Sequence, residues 1–211
     1  MYQPPHFQEE RIEVMHELII AHPFATLVSL EGSGLSANHI PLVLHPKLSK
    51  KATLRGHIAK ANPLWKNYDA TIDVLAIFQG AQHYITPSWY PSKKEHGKVV
   101  PTWNYVIVHA SGPLKIIEDD TWLREHLNEL TSRHEGERPV PWNVADAPAD
   151  YVERQLKGIV GLEIPISHLE GKWKVSQNRS DQDRLGISRG LTSEGGNDSE
   201  DMSKLIEKYN G

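Results

Sequence analysis

Between Phe24 and Ile117 the chain lays down one strand-like run after another with a single short helical interruption, and that order leaves few folds open. Phe24–Leu30 is rich in β-branched and aromatic residues and stops at Glu31-Gly32-Ser33-Gly34, a hairpin-like turn. Leu35–Leu44 follows as a strand, with Pro41 marking an edge or a bulge in its later half. Thr53–Ile58, Asp73–Phe78, His83–Thr86 and the longer Asn104–Ile117 continue the series. Asn62–Asn67 interrupts it as a short helix, with Asn62 as cap and Pro63 at its first position.

Helical periodicity is confined to the ends. Residues 9–21 place Ile12, Met15, Leu18 and Ile19 at helical steps, with Glu9, Glu10 and Glu13 near the positive end of the dipole, and Pro23 ends the run. Asp119–Arg133 is a second helix, capped by Asp119 or Asp120, with Trp122, Leu123, Leu127 and Leu130 along one face. Residues 136–150 hold three prolines and read as loop. Ala149–Leu156 is a short helix and Gly158–Ile166 the last strand. Ser180–Gly190 is helical, Ser193–Ser199 a flexible link, and Asp201–Tyr209 a terminal helix carrying Met202, Leu205 and Ile206. About six strands, mostly in sequence-adjacent pairs, fit an antiparallel barrel with helices at its rim better than alternating βαβ units. The expected class is α+β, mainly β. Residues 1–192 form one domain in this reading, and residues 193–211 a tail with a short helix.

Composition narrows the function. A net charge of −4 over 211 residues argues against a generally basic nucleic-acid coat. The absence of cysteine excludes disulfide frameworks, thiolate zinc sites and cysteine nucleophiles. The longest apolar run, Val74–Phe78, is far below the ~20 residues of a membrane helix. The N-terminus lacks the basic-then-apolar pattern of a secretory signal, so a soluble cytoplasmic protein is expected.

Several segments are polar where burial is expected. In Leu35–Pro41, Ser36 and Asn38 share one face of the strand while Ala37 and His39 share the other, and polar atoms there must find partners in neighbouring loops or a ligand. Residues 47–60 carry Lys47, Lys50, Lys51, Arg55 and Lys60 without one acid, the only marked basic patch. With Gly56 and a helix start close by, the patch suits a phosphate or is a solvated turn. Tyr84–Tyr90 and Pro101–Tyr105 are aromatic clusters either side of a polar connection; they wall a planar ligand or belong to core or a subunit interface. Lys172–Arg179 offers several donors in succession. The twelve histidines lack metal-ligand spacing, so no metal is expected. Neither a Gly-x-Ser-x-Gly elbow nor a Gly-x-Gly-x-x-Gly fingerprint occurs.

The segments His22–Ser29, Leu35–Leu42, Gly56–Pro63, Tyr84–Tyr90, Val100–Tyr105 and Lys172–Arg179, with Met1, Tyr2, Pro5 and Phe7 at the start, resemble the PaiB-type FMN-binding negative transcriptional regulators, which repress protease synthesis and sporulation. The resemblance runs from residue 1 to about residue 192. It implies a split β-barrel like that of the pyridoxamine-phosphate-oxidase flavoproteins, paired as a homodimer with FMN in clefts at the interface. It further implies Arg55, His57, Lys60 and Asn62 at the flavin phosphate, and Ser36, Asn38, His39, Ile40 and Pro41 at the isoalloxazine edge. Trp103 and Asn104 would close over the ring, with Gln177 and Arg179 completing the wall.

Three function classes remain open, one of them a flavin-free binding or scaffold domain that keeps the barrel without the ligand. A regulator is another, although no helix-turn-helix with a basic recognition helix is present. DNA would have to meet the 47–60 patch or a dimer surface, and the same side chains cannot hold a flavin phosphate and grip DNA. An FMN-dependent oxidoreductase, of the flavin-reductase or pyridoxamine-phosphate-oxidase kind, is the alternative. There the flavin supplies the electron chemistry and the protein positions it, and no catalytic side chain stands out.

Overall fold

The structure, a computed structural model, describes residues 1–210. In chain order its elements are β1 (Gln8–Glu9), α1 (Ile12–Ala21), β2 (Phe24–Glu31), β3 (Gly34–Pro41), β4 (Val43–His45), β5 (Thr53–Ala59), α2 (Leu64–Asn67), β6 (Val74–Ile85), α3 (Ser92–Glu95) and β7 (Thr102–Gly112). There follow β8 (Lys115–Ile117), α4 (Asp120–Glu135), α5 (Ala149–Lys157), β9 (Ile159–Pro165), β10 (His168–Lys174), α6 (Asp181–Glu194) and α7 (Asn197–Asn210). The strands form two antiparallel sheets, ordered β1-β10-β7-β6-β2-β3 and β4-β5-β9-β8. The chain divides into two compact units.

Residues 19–78 and 110–169 make one unit, called here the hairpin unit. Its β2–β3 hairpin pairs Phe24 with Pro41 through Glu31 with Gly34, and Gly34 closes the turn at φ 119°, a backbone state that suits glycine. Along β2, Ala25, Leu27 and Ser29 are buried between more exposed neighbours, the period-two signature that the sequence carried. Strand β9 pairs with both β5 and β8, and its Val160, Leu162 and Ile164 are buried. Helix α4 starts at the Asp119 cap, whose carboxylate accepts from the Trp122 amide at 2.7 Å. Leu123, Val144, Val152 and Leu156 form a second buried cluster beneath α4 and α5.

Residues 1–18, 79–109 and 170 onward make the other unit, the terminal unit. β1 adds to β10, pairing Gln8 with Lys172 and Glu9 with Gly171. Helices α6 and α7 pack on each other, burying Ile187, Leu191, Met202 and Ile206, and the Ser188 and Ser203 hydroxyls meet at 2.8 Å. The buried Glu9 carboxylate accepts from Arg11 and, at 2.9 Å, from the Tyr209 hydroxyl, while the Tyr209 ring stacks near Trp173. Arg11 and these hydrogen bonds hold the Glu9 carboxyl below its ordinary range against the opposing effect of burial. Gly195 and Gly196, both at positive φ, make the turn between α6 and α7; Gly211, the end of the expected tail, lies outside the described residues.

Four local readings change. The two runs expected at 73–78 and 83–86 are one strand, β6, because Gln79-Gly80-Ala81-Gln82 contains neither a proline nor a glycine at positive φ to break it. The run expected over 104–117 divides at Pro113, which has no amide hydrogen for the ladder. The Lys172–Arg179 run, expected to follow the last strand, begins inside a further strand, β10. The 193–199 link reduces to the two-glycine turn because α6 continues to Glu194 and α7 starts at Asn197.

Candidate functional site

In the hairpin unit, β3 alternates as the sequence predicts: Leu35, Ala37 and His39 are exposed, while Ser36 and Asn38 are half-buried and Ile40 is buried. Asn38 accepts a hydrogen bond from the Asn62 side-chain amide at 2.7 Å, and Asn62 Oδ1 in turn accepts from the Leu64 amide at the start of α2. A single side chain therefore ties the β3 face to the helix start. The end of β3 lies against β5: a Cβ on Gly56 would stand 2.7 Å from Leu42 and 3.1 Å from the Pro41 carbonyl oxygen. The structure thus brings together Asn38, Ile40, Pro41, Gly56 and Asn62. Outward, His39 lies beside Phe24 with ring centroids 6.1 Å apart.

Arg55 and His57 alternate with Gly56 on β5 and look the other way, toward α4. Arg55 binds Glu163 through Nε and Nη2 at 3.0 and 2.9 Å and lies over the Trp122 ring. His57 Nδ1 is 3.1 Å from His126 Nε2, and Trp122 stacks on His126 at 5.4 Å. Burial depresses the His57 pKa. Burial first, then the neighbouring His57, His45 and Arg55 charges, depress that of His126 to about 3. Both rings are neutral at pH 7. Among the described residues no three His, Asp or Glu side chains could hold a metal ion. Lys60 projects from the end of β5, with Glu118 at 3.9 Å.

In the terminal unit, Trp103 is 54% exposed, with its ring 6.0 Å from that of Tyr84. Asn104 is 1% exposed; its amide donates to Ser176 Oγ at 2.8 Å and its Oδ1 has no partner. Ser176 sits at φ 66°, rare for a residue with a side chain. Gln177 braces that turn, accepting from the Val175 amide at 2.9 Å and donating to the Trp173 carbonyl at 2.6 Å. Arg179 stacks over Tyr90 at 5.1 Å. Beyond Gln177 and Arg179, this segment presents Lys172 and Lys174 beside Tyr105; the sequence marks both as donors of the Lys172–Arg179 run but does not show that they share a strand face. His126 was passed over too, and only its step from Leu123 on α4 signalled burial.

Comparison with solved structures defines the class. The FAD- and heme-binding protein of Mycobacterium smegmatis superposes with a TM-score of 0.60 at 17% identity, covering 90% of this chain and 80% of that one. The flavocytochrome Anf3 of Azotobacter vinelandii does so at 0.57 and 13%, covering 79% and 69%. The fold is the split barrel of flavin-binding proteins, α+β with peripheral helices.

The family model described as "Putative FMN-binding domain" matches residues 1–168, and the chain belongs to that family, whose cofactor is FMN. Its relatives include "Protease synthase and sporulation protein PAI 2" of Bacillus subtilis, 34% identical over 209 residues that cover 98% of this chain and 97% of the relative. An uncharacterized protein of Emericella nidulans is 35% identical over 228 residues, covering 90% of each. No helix among the described residues is long and apolar enough to cross a membrane.

Proposed function

We propose that this chain is an FMN-binding regulator of the PaiB type that acts as a homodimer. The observation that carries the reading is the likeness to the Bacillus subtilis protein, 34% identical across 98% of this chain and 97% of that one. With a net charge of −4, its effect on transcription is indirect.

The residues present fit a flavin. In the terminal unit Asn104 Oδ1 is buried and lacks a donor among the described residues, while Trp103, on the opposite face of β7, exposes its ring. In the hairpin unit Asn38 and Asn62 are joined by a hydrogen bond, and Gly56 leaves room for the close approach of the Pro41 carbonyl. In this reading Ser36, Asn38, His39, Ile40 and Pro41 of β3 meet the isoalloxazine edge, and Lys60 and Asn62 meet the phosphate. Arg55 and His57 hold β5 from behind. Bound FMN supplies reversible electron transfer; the chain's own groups bind, orient and shield it.

A second copy covers the outer face of the β2–β3 hairpin. Cross-strand pairs there are Thr26 with His39, Val28 with Ala37 and Leu30 with Leu35, flanked by Leu75 and Ile77 of β6. Phe24 is 66% and Leu35 80% exposed, so the patch is apolar and uncovered, as a self-complementary interface is before pairing.

The test is a visible spectrum of the fresh protein, its mass by light scattering, and NAD(P)H oxidation with added flavin. A flavin spectrum on a dimer with oxidation no faster than free flavin supports the regulator. Faster oxidation moves the protein to the oxidoreductase alternative. A colourless monomer that ignores added FMN refutes both.

A further inference from the structure

A cleft of about 290 Å³ opens in the hairpin unit between the end of α1 and the last turns of α4. Its apolar walls are Ile20 and Ala21 of α1, Leu42 and Leu44 of the edge-strand segment, and Leu130 of α4. Leu42 and Leu44 are buried and Ile20 is exposed, so the apolar lining runs from the core to the surface. The Leu42 amide already donates to the Pro23 carbonyl at 2.8 Å, and that pair makes no demand on a ligand. The titratable side chains of the lining are Arg133 and His134. A guanidinium has two edges that can each take a pair of acceptors. In Arg133 the Nε–Nη2 edge is taken, both nitrogens donating to Glu129 Oε1, at 3.2 and 2.8 Å. The Nη1–Nη2 edge is open: Nη1 has no acceptor among the described residues, and Nη2 reaches the Leu44 carbonyl only at 3.4 Å, beyond ordinary N–H···O range. Glu129 is itself shared, with His45 Nε2 3.3 Å from its other oxygen.

We propose that this cleft binds a short-chain aliphatic carboxylate, its chain against Ile20, Leu42, Leu44 and Leu130 and its two oxygens on the Nη1–Nη2 edge of Arg133. A carboxylate presents two coplanar acceptors that match the guanidinium fork, whereas an alcohol presents one. Glu129 offsets part of the Arg133 charge, so the apolar walls supply most of the affinity and the open edge supplies the choice of head group. Size sets the chain length: small-molecule sites run from about 300 to 1,000 Å³, and a cleft at the low end of that range takes a chain of a few carbons rather than a lipid or a nucleotide. None of these residues is among those assigned to FMN, so the proposal stands apart from the flavin reading.

The experiment titrates the full chain, with and without added FMN, with hexanoate and with 1-hexanol by calorimetry. Wild type is compared with Arg133→Gln and Ala21→Phe, each checked by circular dichroism. Both positions are exposed, so both variants are expected to fold, and a phenylalanine at position 21 fills the cleft from its rim. Wild type is expected to bind hexanoate saturably and about 10-fold more tightly than hexanol, whether or not FMN is present. Arg133→Gln brings hexanoate down to the level of hexanol and leaves hexanol unchanged, because the walls remain. Ala21→Phe weakens both ligands by about 10-fold or more. Wild type that binds neither ligand, or binds both equally, overturns the proposal. So does a preference that survives Arg133→Gln, or a folded Ala21→Phe that matches wild type. Hexanoate binding that FMN abolishes places the acid in the flavin site and overturns it as well. A chain that ignores FMN yet binds hexanoate through Arg133 refutes the flavin reading and upholds this one.

Discussion

His57 Nδ1 and His126 Nε2 share one hydrogen-bond position 3.1 Å apart, one ring donating and the other accepting, with Trp122 stacked against His126. Only one proton fits between the two nitrogens, so a doubly protonated pair loses the bond and gains repulsion. Burial is the main reason that His126 resists a proton, and the His57, His45 and Arg55 charges add to it.

Stability therefore depends on acid. The folded pKa of each histidine lies below the unfolded value of about 6.5, so the unfolded chain takes up protons first as pH falls. Stability is level above pH 6.5 and declines between that pH and about 3, by up to about 1.4 kcal/mol per pH unit for each proton withheld. Melting temperature measured across this range is expected to fall more steeply for wild type than for His126→Gln. Parallel profiles would remove the pair as the cause.

Gly161 lies beneath the same ring. A Cβ there would stand 2.4 Å from Trp122 and 3.1 Å from Ile117 Cβ, so Gly161→Ala must displace the indole from both Arg55 and His126. The expected cost is about 1–3 kcal/mol, read from denaturant midpoints. A variant as stable as wild type would mean that the ring moves freely.

Replacing Asn62 by alanine strands Asn38 Oδ1 and removes the acceptor for the Leu64 amide. A loss of about 1–3 kcal/mol is expected by thermal melting. Asn62→Asp keeps the acceptor at Leu64 but gives Asn38 no donor, so it should recover only part of the loss.

Lys60 is held by Glu118 only at 3.9 Å and is open to solvent, which leaves it free to reach an anion. Lys60→Ala is expected to weaken FMN by about 1.5–3 kcal/mol, roughly 10- to 100-fold, in equilibrium titration. Unchanged affinity would take Lys60 out of the site.

The proposed dimer face has a direct probe in Leu35→Glu. A charge set into an apolar patch opposite Leu30 should convert the dimer to a monomer in light scattering while leaving the circular dichroism spectrum alone. A variant that stays dimeric would move the interface elsewhere.

Local rules made much of the fold legible. Turn glycines announced the β2–β3 hairpin, spacing from Ile12 to Ile19 announced α1, and Asp119 announced the start of α4. What stayed hidden depends on residues far apart in the chain. Arg55 read as a free cation because Glu163, its partner, comes 108 positions later. β10 went unnoticed as a strand because Glu170, Lys172 and Lys174 on one face are charged and Gly171 on the other has no side chain to mark the alternation. His126 drew no notice on α4 because hydrophobic pattern counts histidine as polar, whatever ring covers it.

The Tyr209–Glu9 link joins positions 200 residues apart, and the unit that contains it draws on three separate stretches of chain. During translation the other unit has all its residues once position 169 has been made, whereas this one must wait for α7. Until then the nascent chain carries β1 with the Glu9 carboxylate lacking the Tyr209 hydroxyl, so the order of synthesis imposes an order of folding.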